Sequence, residues 1–89
     1  AVAEYELAER LYRRRMDAGV RVNEEQFFET VFYQVEALRN LGDMEGARAA
    51  WHDAYALACP ISGPCLNSWW QFRLAEEAMR IGLFEEEGA

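Results

Sequence analysis

Apolar side chains recur along this chain at three- and four-residue intervals, the period of an α-helix, in four separate segments. Over positions 2–18, Tyr5, Ala8, Leu11, Tyr12 and Arg15 fall on one helical stripe, which Leu7 widens. Glu4, Glu6 and Glu9 come early and Arg13, Arg14 and Arg15 late, an order that complements the helix dipole. Gly19 supplies the stop. The second segment, positions 23–41, opens on Asn23 with Gln26 three residues later, the form of a capping box. Its Phe27, Phe28, Val31, Phe32, Val35, Leu38 and Leu41 cover more than one face, as in a helix sandwiched between neighbours. After Gly42, Asp43 is a good N-cap for a third helix over 43–58. Met44, Ala47, Trp51, Ala54 and Ala58 form its stripe, with Ala50 and Leu57 beside it. A turn this short forces the second and third helices into an antiparallel hairpin.

Positions 59–67 read CPISGPCLN, a loop set by two Pro, a Gly and a Ser. The fourth helix, 68–81, starts at Ser68, whose Gln71 repeats the capping-box spacing. Trp69, Trp70, Phe72, Leu74, Ala75, Ala78, Met79 and Ile81 carry its apolar surface, and Gly82 ends it. Positions 83–89 are an acidic tail or the start of another helix.

The segments repeat. At an offset of 39 residues, Ala8 pairs with Ala47 and Tyr12 with Trp51, a small residue followed four later by a large aromatic. Asn23, Gln26 and Phe27 match Ser68, Gln71 and Phe72, and Gly42 matches Gly82. The chain thus reads as half a hairpin, a whole one, and half of a third, a periodicity that predicts stacked helical hairpins.

On these residues the stretch Ala37–Ala54 resembles a tetratricopeptide repeat: Gly42 stands at the hairpin turn, then Ala47, Trp51 and Ala54 at the family's small, aromatic and small packing positions. The resemblance implies an all-α, right-handed stack of antiparallel helical hairpins. It also implies a concave groove lined by first helices that binds peptides, which makes Glu29, Tyr33, Glu36, Arg39 and Asn40 the groove candidates. The first third, Ala8 to Phe27, is similar to the junction of pentatricopeptide repeats, with Leu11-Tyr12, Met16 and Gly19-Val20 before Asn23 and Phe27, and Val22 where Pro is usual. That second resemblance implies single-stranded RNA binding or a ribonucleoprotein accessory role; the base-reading positions are not carried over.

Composition adjusts this picture. The 89 residues, 52% hydrophobic and 28% charged, suffice for one modest core in a single helical-repeat domain spanning 1–89. Sixteen acidic residues against nine Arg and no Lys give a net charge of −7, which sets nucleic acid behind protein as a partner. No apolar run approaches the roughly 20 residues of a membrane span. No signal peptide is visible, which favours an intracellular location, cytoplasm or organelle. One His, two Ser and one Thr are thin stock for nucleophilic catalysis.

Candidate chemistry is accordingly sparse. His52, Asp53, Cys59 and Cys65 lack the spacing of a metal site. Without a signal peptide the two cysteines read as free thiols; a disulfide between Cys59 and Cys65 across the loop is the alternative and requires an oxidising compartment. Glu76, Glu77 and Glu85–Glu87 read as solvated charge. Trp69 and Trp70 point about 100° apart, so one packs on the third helix while the other is left for an interface. The expectation is a protein–protein interaction module rather than an enzyme: an adaptor, scaffold or assembly subunit without a cofactor. Its partner is a protein or peptide, favourably basic, or further copies in a larger assembly.

Overall fold

The computed structural model describes residues 2–60 and 64–83. They form four helices and, among themselves, no strand: α1 (Val2–Asp17), α2 (Glu24–Asn40), α3 (Met44–Ala58) and α4 (Ser68–Arg80). The helices pack as an all-α stack in which α2 meets each of the other three, most extensively α3.

Local chemistry sets the boundaries. The Asn23 Oδ1 accepts a hydrogen bond from the Gln26 amide at 3.0 Å, and the Asp43 Oδ1 one from the Gly46 amide at 2.9 Å. Each satisfies an amide that the first turn leaves unpaired. At the end of α2, Gly42 takes φ +83°, which is strained for any residue with a Cβ. This lets the Gly42 amide reach Arg39 O and the Asp43 amide reach Leu38 O, so the same turn closes α2 and delivers the cap of α3. The fourth helix corrects the expectation by one residue. Its N-cap is Asn67, which accepts from the Trp70 amide, and Ser68 is the first helical residue. Gln71 reaches back from the first turn to donate to Leu66 O at 2.8 Å.

Packing follows the stripes with one exception. The core joins Phe27, Phe28, Val31, Phe32 and Val35 of α2 to Ala47, Ala50, Trp51, Ala54 and Ala58 of α3 and to Trp70, Leu74, Ala78 and Ile81 at α4. The small side chains of α3 let it approach α2 closely. Tyr12 of α1 stacks on Phe27 of α2, and Trp51, its equivalent on α3, donates its indole N–H to Leu74 O of α4. The exception is α1, which buries no residue fully. Tyr5, Ala8 and Tyr12 face α2, whereas Leu7 and Leu11, expected in the stripe, stand in solvent.

The loop after α3 carries a second correction. Cys59 and Cys65 form a disulfide, in place of the free thiols expected. Leu66 donates to Ala58 O at 2.7 Å, drawing together the residues beside both cysteines, whose Cα atoms lie 4.1 Å apart. Positions 61–63 of this loop and 84–89 of the acidic tail, with Glu85–Glu87, lie outside the described residues.

Alkylation of the unreduced protein should leave its mass unchanged, and two alkyl groups should be added only after reduction. Because so small a ring constrains the unfolded chain modestly, reduction should lower stability by about 2 kcal/mol in urea unfolding. Alkylation without reductant would show that the thiols are free.

Candidate interaction surface

The sequence-derived candidates divide into two groups. On α2, Tyr33 and Asn40 are exposed and Glu29 is partly exposed. Tyr33 is partly shielded by Tyr5 of α1, their ring centroids 6.1 Å apart. Glu36 and Arg39, assigned to the same open face, instead turn toward α4. Arg39 donates through Nε to both carboxylate oxygens of Glu77 at 2.8 and 3.1 Å, and Glu36 accepts from Arg73 Nη2 at 2.7 Å. They tie α2 to α4 and leave three of the five residues facing out.

Glu77 also departs from expectation. Rather than solvated charge it is a carboxylate with only 1% of its side chain exposed, while Arg39 keeps 24%. The sequence offered no signal for this pair, because its two members are 38 residues apart on helices that meet only in the fold. A buried carboxylate needs a charged partner within reach, and Arg39 is placed one helix away to supply it. On the opposite side of α2, Gln34 Nε2 donates to Glu9 of α1 at 2.7 Å. Polar seams thus flank the apolar core on both sides.

The two tryptophans separate as their 100° spacing requires, and Trp70 is the buried one, in aromatic contact with α2. Its ring meets Phe28 and Phe32 edge-on at 5.1 and 5.8 Å, and its indole N–H donates to Glu25 at 3.1 Å. Trp69 is 59% exposed. The Arg73 guanidinium lies 5.9 Å from the Trp69 ring and 5.3 Å from the Phe32 ring, bridging the exposed and the buried aromatic.

Beyond Trp69, α4 exposes two further large apolar side chains, Phe72 at 60% and Met79 at 69%. Helical spacing places Trp69, Phe72, Ala75 and Met79 within an arc of about 120°. α4 is therefore apolar on two faces, one buried against α2 and α3, the other open. Phe72 and Met79 were legible as apolar helix positions, but which face they occupied depended on how α4 sits against α2. Next to this stripe, between α3 and α4, lies a cleft of about 470 Å³ lined by Trp51, His52, Tyr55, Cys59, Gln71, Leu74, Ala75 and Leu83. His52 is exposed at its edge, its ring against Trp51. Cys59 and Cys65 are spent on the disulfide and Asp53 faces solvent, so these residues do not gather into a ligand set.

Arg39→Met should destabilise the fold by about 3 kcal/mol, since it strands the Glu77 carboxylate in the core. Adding Glu77→Leu should recover most of that loss. Urea unfolding of both variants checks this, and an unchanged midpoint for Arg39→Met would mean that Glu77 is solvated.

Comparison with protein-family models, with curated proteins and with solved structures finds no match for this chain.

Proposed function

We propose that this chain is a protein–protein interaction module, an adaptor, scaffold or assembly subunit built as a tetratricopeptide-like helical stack, and that it meets its partner through the outer face of α4. The observation that carries this is the open stripe of Trp69, Phe72 and Met79 on a helix whose opposite face is already fully packed. Single exposed apolar residues need no explanation; aligned aromatic and Met side chains on one helix face are the composition of an interface centre.

Two arginines bear on the RNA alternative. An RNA groove requires guanidinium groups free to meet phosphate. Arg39 and Arg73, which line the seam between α2 and α4, are engaged with Glu77 and Glu36. Together with the net charge of −7, this favours a protein over a nucleic acid as the partner.

Affinity capture with the wild-type chain, with Trp69→Ala combined with Phe72→Ala, and with Tyr33→Ala provides the test. Removing two aromatic anchors should weaken partner binding by at least about thirtyfold, while Tyr33→Ala should change it far less. Undiminished capture by the α4 double variant, with loss in Tyr33→Ala, would move the contact to α2 and overturn the assignment.

A further inference from the structure

We infer that the outer face of α1 is a second docking surface and that its occupant is an acidic amphipathic helix of another protein. This surface is separate from the α4 stripe and does not depend on it. Its first support is shape. Ala8, Leu11, Tyr12 and Arg15 line a hollow of about 210 Å³. They stand at i, i+3, i+4 and i+7, the four positions of one helix that make the hole for a side chain of a facing helix in knobs-into-holes packing. One turn earlier, Glu4, Leu7, Ala8 and Leu11 repeat that spacing. Leu7 is 52% and Leu11 46% exposed, and α1 meets α2 instead through Tyr5, Glu9 and Tyr12.

The second support is charge. Positions 7–15 hold four Arg against one Glu, in a chain of net charge −7. That Glu9 is taken up by Arg13 and Gln34. Arg10, Arg14 and Arg15 are exposed and, among the described residues, pair with no carboxylate, whereas Arg13, Arg39, Arg73 and Arg80 all do. Glu6 and Asp17 lie one turn from Arg10 and Arg14 but form no ion pair with them. The helix dipole accounts for Arg14 and Arg15, which sit in the last turn, but not for Arg10. By helical spacing, Arg10 and Arg14 flank the two leucines on one side and Arg15 on the other, within an arc of about 140°. Unpaired guanidinium groups on both margins of a leucine strip complement a helix that carries carboxylates on both margins of its own.

The chemistry of the face separates this occupant from other anions. Single-stranded RNA is held by bases stacked on aromatic rings, and both rings of α1 already lie against Tyr33 and Phe27. An anionic bilayer calls for a broad apolar face carrying Trp or Phe, where this one has two leucines.

Fluorescence anisotropy with the full chain tests this, using a labelled helical peptide of three heptads with Leu at its core positions and Glu beside them. The acidic peptide should bind in the micromolar range, more weakly as salt is raised. The same peptide with Lys in place of Glu should not bind. Arg10→Gln combined with Arg14→Gln should weaken binding by about tenfold, and Leu11→Ala by a similar factor. Arg80→Gln on α4 should leave it unchanged. Gln and Ala favour helix, so these variants keep the fold, which circular dichroism checks. Equal binding of the Lys peptide, or undiminished binding by the Arg10 and Arg14 double variant, would overturn the assignment. So would an acidic peptide that stays unbound at sub-millimolar protein. Oligouridine or phosphatidylglycerol–phosphatidylcholine vesicles bound in its place, and released in the double variant, would show that the face takes phosphate and not an acidic helix.

Discussion

The fold depends on one helix being apolar almost all the way round. α2 gives Phe27 and Gln34 to α1, Phe28 and Phe32 to α4, and by helical spacing Val31 and Val35 to α3. α1 and α3 are held chiefly by this contact, while α4 rests on α3 as well as on α2. The polar ties lie at the margins of the same helix: Glu9 with Gln34 on one flank, and Glu77 with Arg39 and Arg73 with Glu36 on the other. They fix the angle at which α1 and α4 lie on α2, while apolar burial supplies most of the favourable free energy. A buried ion pair of this sort is worth less for stability than for specifying one arrangement.

That constraint explains what could be read from sequence and what could not. The caps at Asn23 and Asp43, the glycine turn at Gly42 and the two-sided pattern of α2 are local or periodic, and each was legible in a single chain. The partner of Glu77 was not, because an acidic residue on a helix has the same pattern whether it meets water or an arginine 38 residues away. Leu7 and Leu11 match the helical period, but periodicity does not show which of two adjacent arcs is covered. Trp69 and Trp70 posed the same question; their angular separation was readable, and the direction in which α4 rotates to meet α2 was not. The cap of α4 slipped by one residue because Asn67 and Ser68 are both good caps, and the Asn67 carbonyl group reached the Trp70 amide. The disulfide stood only as the alternative because a compartment argument was set against a local geometry that brings the two cysteines together.

α2 is covered by three helices and α3 lies between α2 and α4, but α1 and α4 each leave an apolar face open among the described residues. In a fold organised around a closed centre, Phe72 and Met79 would be unexplained surface residues. In a stack they occupy the place of the next layer.

The central claim is that stability radiates from α2. Residue-resolved amide hydrogen exchange measures it most directly, because local opening and global unfolding are read separately along the chain. The account expects the amides from Phe27 to Val35 to exchange slowest, only through global unfolding, with α3 next. α1 and α4 should exchange faster through local opening. Equal protection across all four helices, or maximal protection in α1 or α4, would contradict it.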